Sequence, residues 1–221
     1  MQTLQRQLTI VLTLAMATLI GACSLTGNGG REAPRQYQLA LTEAGLLAPR
    51  EPGTMVLLVE RPQAAPGFDS RQIAYQTQAH ELRYYTQSRW ADTPARMLGP
   101  ALIDILEQSG LFHTVLAPPA SVAPDYRLVS DSLQLQQHFN DNGASHTLLR
   151  LRVQLIDQRQ QRILGSRTIE VTRPAPAPTA QGGVVAANEA LREAARQIQQ
   201  FATAMLADAE ARRHTDARPS L

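Results

Sequence analysis

The chain has 221 residues, with 21 basic and 19 acidic side chains and a formal charge of +2. Every basic residue is arginine, so little titrates between histidine and tyrosine, and the basic isoelectric point is no sign of a nucleic-acid-binding surface. The length suits one domain with a real core, while the single cysteine excludes an intramolecular disulfide and cannot alone hold a structural zinc.

The chain opens on "MQTLQRQ" and continues "LTIVLTLAMATLI" from Leu8 to Ile20 without a charge. This is the n-region and h-region of a secretory signal peptide, and the run is shorter than the roughly 20 residues that span a bilayer. Small residues Gly21 and Ala22 follow, so residues 1–22 are expected to be a signal peptide. Ile20-Gly21-Ala22-Cys23 resembles the bacterial lipobox, which implies that Cys23 becomes the first mature residue and carries diacylglyceryl and N-acyl chains. Several acyl chains anchor stably where one is marginal. An ordinary signal peptide with an incidental cysteine, or an uncleaved anchor, are the alternatives. By analogy with lipoprotein sorting in Gram-negative bacteria, Ser24 rather than Asp after the cysteine favours the periplasmic face of the outer membrane.

Residues 23–36 are Gly-rich and polar and read as a lipidated flexible tether with a reach of about 20 Å. The domain is expected over 37–211. "YQLAL" (37–41), "MVLLVE" (55–60), "RQIAY" (71–75) and "ELRYYTQSRW" (81–90) have strand character, and the nearly continuous apolar run of the second suggests burial on both faces. Thr93 to Ser109 is the first helix, with Thr93 as N-cap, Pro94 at the first position and Gly110 as the stop. Pro100 inside it removes a backbone bond to Arg96 and should kink or restart the helix.

After "FHTVL" come three longer strands, Tyr126 to Phe139, Thr147 to Asp157 and Arg162 to Val171, joined by the turns "NDNGAS" and "DQRQQ" into an antiparallel meander. The middle one alternates, with Leu149, Leu151, Val153 and Leu155 on one face. Arg173 to Gly183 reads as a Pro/Ala crossover loop. A second helix from near Val184 to about Ala211 carries Val184, Ala187, Leu191, Ala194, Ile198, Phe201 and Met205 on one stripe. This stripe is expected to pack on the domain's own sheet, a partner contact being the alternative. Residues 212–221 read as a disordered tail.

There is no GxSxG, phosphate loop, HExxH or CxxC. The five histidines lack ligand spacing; His138 and His146 could meet across the hairpin and hold a metal weakly, but exposed hairpin histidines are common, and no metal site or cofactor is expected. Asp69, Ser70 and His80 contain the side chains of a nucleophile triad without an elbow, and turn capping explains the first two. Tyr75, Tyr84, Tyr85 and Trp90 place four of the ten aromatics within sixteen residues, either as core or as a ligand or partner surface.

The lipobox, "YQLAL", "VLLVERPQAAPGFDSRQIAY", "HELRYYTQSRWADTPARMLGPALIDILEQSGLFHTV", "DYRLVSDSLQLQQ", "LLRLRVQLID" and "VVAANEALREAARQI" together resemble the ABC-type transport auxiliary lipoprotein family, which includes paraquat-inducible protein C. The resemblance implies a single α/β domain, similar to the N-terminal domain of TolB, with a mixed sheet, an antiparallel meander and two flanking helices. It further implies a non-enzymatic docking subunit of an envelope system that moves lipids or other hydrophobic molecules between membranes. Its partners would be an MCE-domain periplasmic protein and inner-membrane transporter subunits, with a homo-oligomer conceivable. A lipid-binding module with a groove near Tyr84, Tyr85 and Trp90 is the alternative, and a hydrolase a distant third.

Overall fold

A computed structural model of the chain describes residues 32–40 and 53–216; from Pro34 onward these belong to one compact unit. The signal segment, Cys23 and most of the tether lie outside the described residues. The elements, in chain order, are β1 (Arg35–Tyr37), β2 (Val56–Val59), β3 (Gln72–Gln76), β4 (Arg83–Trp90), α1 (Pro94–Gln108), β5 (Thr114–Leu116), β6 (Tyr126–Phe139), β7 (Ser145–Asp157), β8 (Arg162–Pro174) and α2 (Ala180–Asp216).

The strands form one mixed sheet with β6 as its axis. On one side β7 pairs antiparallel along β6, from Tyr126↔Asp157 to Phe139↔Ser145, and β8 pairs antiparallel with β7. On its other side β6 is shared by two short parallel strands: β2 against Tyr126–Leu128 and β3 against Gln136–His138. Parallel β5 extends the sheet from β2, and antiparallel β4 followed by parallel β1 extends it from β3. This is the expected α/β class, with the antiparallel meander formed by β6, β7 and β8.

Alternation decides which face is buried. Leu149, Leu151, Val153 and Leu155 of β7 are at most 1% exposed, whereas Arg150 and Arg152 between them face solvent. Each such aliphatic side chain removed from water contributes about 2 kcal/mol. In β6 the inward parity changes midway, from Leu128 and Ser130 to Leu133 and Leu135, because a bulge adds a residue between Asp131 and Gln134. Ser132 occupies the bulge at φ +57, and its hydroxyl donates to Asp131 Oδ1 at 2.8 Å. Asp131 in turn accepts three guanidinium bonds from Arg152, which hold its carboxyl below the ordinary value.

Helix α2 lies along β7 and β8, and α1 packs on β5, β2 and α2. Val184, Ala187, Leu191, Ala194, Ile198 and Phe201 are buried, so the stripe packs on the chain's own sheet. Ala186, Ala190, Ala195 and Ala202 are buried beside it, and side chains this small let a helix approach a sheet closely. Thr93 caps α1, its Oγ1 accepting from Arg96 N at 3.4 Å, and Gly110 follows the helix at φ +65, a conformation that suits glycine.

Several expectations are corrected. The first strand is Arg35–Tyr37 rather than 37–41, reaching into the expected tether, because Arg35–Tyr37 pairs with Ser88–Trp90. In β2, Leu57 and Val59 are buried but Val56 and Leu58 only half so, so one face of this strand is fully covered and the other only in part. Pro100 neither ends nor restarts α1, which runs through it to Gln108 with Pro100 on its exposed side.

The crossover loop is shorter than expected at both ends. β7 and β8 keep pairing as far as His146↔Pro174, and the Thr179 hydroxyl accepts from Gly182 N at 3.1 Å, starting the helix early. At the far end α2 continues to Asp216, into the segment expected to be disordered. There Arg213 donates to the Tyr126 hydroxyl at 3.2 Å and to the carbonyl of Ala209, tying the last turns to the sheet.

Candidate functional site

The structure separates the four clustered aromatics. Trp90 is 2% exposed and belongs to the core. The Tyr84 hydroxyl donates to the carbonyl of Gly67 at 2.8 Å. Tyr75 and Tyr85 stay together, ring centroids 4.6 Å apart, with Phe139 edge-on to Tyr75 at 5.9 Å. A groove built jointly from Tyr84, Tyr85 and Trp90 therefore finds no support, because Trp90 has no surface to offer a ligand.

Tyr85 instead supports a buried polar seam. Its hydroxyl donates to Gln137 Oε1 at 3.0 Å, and Gln137, 2% exposed, donates through Nε2 to Ser145 Oγ at 2.8 Å and to the carbonyl of Thr179 at 3.2 Å. The Thr147 hydroxyl donates to the carbonyl of Gly183 at 2.9 Å. Burial, with a smaller contribution from Tyr75, pushes the Tyr85 phenol up to about 12, so it keeps its proton and remains a donor. The seam seats the first turns of α2 on β6 and β7.

The other singled-out residues are also placed. Ser70 Oγ accepts from Gln72 N at 3.2 Å, a turn bond, and no nucleophile arrangement with His80 accompanies it. His138 and His146 do meet, as a cross-strand pair with rings 5.2 Å apart and 4° from parallel. Burial, then the neighbouring His146, lowers the pKa of His138. Among the described residues no three histidine, cysteine or acidic side chains gather closely enough to hold a metal ion, and no helix is long and apolar enough to cross a membrane.

Several clefts break the surface of the described residues. One of about 670 Å³ lies beyond the C-terminal ends of β2 and β5 and against α1, with Val59, Arg61, Pro62, Arg96, Pro100 and Ile103 among its lining. A second of 450 Å³ holds Asp125, Tyr126, Asp157, Arg159 and Arg213. Several of its charges are engaged: Asp125 meets Arg159 at 2.5 Å and accepts from Val56 N at 2.8 Å, and Asp157 accepts from the Arg159 and Gln160 amides at 2.9 Å. It fastens the meander's lower turn and the end of α2. Another, of about 600 Å³, lies on the surface where β8 meets α2, lined by Gly165, Phe201 and Met205 among others. Sequence reasoning missed the first cleft, because Arg61 and Arg96 are brought together only by the crossover through β3, β4 and α1; Pro100 was its one visible sign.

Among solved structures, a protein from Xanthomonas campestris matches with a TM-score of 0.70 at 22% identity, over 80% of this chain and 98% of that one. A second, uncharacterised protein matches with a TM-score of 0.56 at 14% identity, over 77% and 99% of the two chains. At these identities the likeness shows a shared fold. No curated protein matches the chain. The family model described as ABC-type transport auxiliary lipoprotein component matches residues 37–199, from the end of β1 to the middle of α2. That family is one of transport components rather than of enzymes. With most of its length matched and the expected fold in place, the chain belongs to the ABC-type transport auxiliary lipoprotein component family.

Proposed function

We propose that this protein is an outer-membrane-anchored lipoprotein subunit of an ABC/MCE-type envelope transport system moving lipids or other hydrophobic molecules between membranes. Cys23 is the lipidated anchor, and the domain acts as a docking or adaptor component for an MCE-domain periplasmic protein and inner-membrane transporter subunits. The family match carries this reading, because the family is defined as auxiliary to transport and as lipoprotein. "LIGACSL" around Cys23 supplies the anchor, and Ser24 favours the outer membrane. An anchored subunit of this kind works at a membrane surface, within reach of a tether.

The tether is testable as part of the function. Cells lacking the protein should become sensitive to membrane-disrupting compounds, and Cys23→Ala, accumulating in the soluble periplasm at wild-type level, should fail to restore resistance. Full complementation by soluble Cys23→Ala would contradict anchored docking. Incorporation of labelled palmitate by the wild type and not the variant, in the outer-membrane fraction of a density gradient, checks the location separately.

A further inference from the structure

The cleft beyond β2 and β5 has the composition of a binding site. Neighbouring parallel strands end at its floor, the position at which open α/β sheets hold ligands. It is open because the two strands continue in different directions. The segment after β2 is drawn toward β6, Glu60 N donating to the carbonyl of Leu128 and Gln63 N to that of Ser130, both at 2.9 Å. The segment after β5 leaves through Ala117 and Pro118, which form another wall, and α1 supplies the rest. The resulting volume of about 670 Å³ falls in the range of small-molecule sites.

Its walls divide by chemistry. Val59, Pro62, Ile103 and Pro118 are apolar. Arg61 and Arg96 stand on different walls, one after β2 and one on α1. The carboxylate of the cleft, Glu60, is already taken by Arg127 at 3.1 Å. Among the described residues Arg61 has no ion-pair partner, and Arg96 has only Asp92, at 3.9 Å and with both side chains largely exposed, a pairing worth little. Two arginines thus remain for an anion, and guanidinium forks suit phosphate oxygens. Pro100 adds an acceptor: having no N–H, it leaves the carbonyl of Arg96, in the same wall, without its helical donor.

We propose that this cleft binds the phosphate ester of an amphiphile, with Arg61 and Arg96 on the phosphate, the carbonyl of Arg96 open to a headgroup hydroxyl or amine, and Val59, Pro62 and Ile103 against the apolar part. This rests on the transport reading, which it deepens by giving the auxiliary protein its own contact with a phospholipid.

The test uses the full lipoprotein in cells grown on ³²P-phosphate, with the photo-reactive residue benzoylphenylalanine in place of Ile103. That group captures C–H bonds, so a phospholipid can be trapped and inorganic phosphate cannot. A chloroform-extractable ³²P adduct at Ile103, absent from a Val122 control on the open surface and reduced at least about tenfold by the pair Arg61→Ser and Arg96→Ser, is the expected result. Both arginines are exposed, so the variant should fold, which an unchanged melting temperature verifies. Titration of the purified, detergent-held protein with inorganic phosphate provides the second arm. Phosphate binding without a lipid adduct would overturn the proposal in favour of a simple anion site, and neither signal would overturn it outright. Repeating the capture in cells lacking the MCE-domain and transporter proteins separates the two ideas: an adduct there supports the site by itself, while failure to form one leaves recovery of those partners unaffected.

Discussion

The side-chain amide of Gln137 occupies the space where a Cβ on Gly183 would stand: the added atom would lie 2.7 Å from Gln137 Cδ and overlap Oε1. Gly183 therefore lets the first turns of α2 rest on a buried amide that is bonded to Tyr85, Ser145 and the carbonyl of Thr179. Glycine inside a helix ordinarily costs about 1 kcal/mol relative to alanine, so Gly→Ala usually stabilises. Here the sign should reverse. Displacing Gln137 strands buried polar groups at about 1–3 kcal/mol, and Gly183→Ala is expected to lower stability by about 1–2 kcal/mol in urea unfolding. Tyr85→Phe, which removes one donor and fills the same volume, should lose about 1 kcal/mol.

Gly99 is the contrasting helical glycine. A Cβ there would meet Pro62 Cδ at 3.6 Å, an ordinary contact, but Gly99 also precedes Pro100, whose Cδ crowds a Cβ on a helical neighbour, so the usual gain of about 1 kcal/mol should be largely offset and the melting temperature should move by less than about 2 °C. The added methyl also enters the lining of the 670 Å³ cleft. Nearly unchanged stability combined with weaker lipid capture at Ile103 is the expected pairing; a loss of about 3 kcal/mol or more, the size of a core overpacking, would contradict the open contact with Pro62.

Trp90 separates a core role from a ligand role. At 2% exposure it should cost about 3–5 kcal/mol when truncated to alanine, measurable as a large drop in melting temperature. A Trp90→Ala protein of unchanged stability would restore the ligand-surface reading.

His138 gives a pH signature. Burial and His146 favour its neutral form in the fold, so below 6.5, its unmodified value, the unfolded chain takes up a proton that the fold resists. Stability should fall as pH drops through 6.5 and level off below the folded pKa. Asp131 acts in another window: held low by Arg152, it adds stability above 3.8 that disappears on stronger acidification. Urea midpoints at pH 7.5 and 5.5 should therefore decline more for the wild type than for His138→Gln, and equal declines would contradict the assignment.

The sheet's long strands were legible because they obey a period of two and are joined by recognisable turn chemistry, as at Gly143, whose φ of +80 closes the β6–β7 hairpin. Helix ends were less so. The start of α2 depends on Thr179 and its end on Arg213 reaching Tyr126, and the second of these contacts is created only by the tertiary fold. The aromatic cluster stayed open between core and surface for a related reason: nearness along β3 and β4 does not say which face a side chain takes, and the register shift between Gln72 and Ala74 alters the alternation. Pro100 was visible from the start, but its meaning depends on Arg61, which the sheet order brings opposite.

The most direct test of the central claim is affinity purification of the lipidated, full-length protein from detergent-solubilised envelopes, with identification by mass spectrometry. The account predicts recovery of an MCE-domain protein and inner-membrane transporter subunits, enriched over a lipoprotein of unrelated fold and markedly reduced for Cys23→Ala at equal expression. Recovery of neither from the wild type would contradict it.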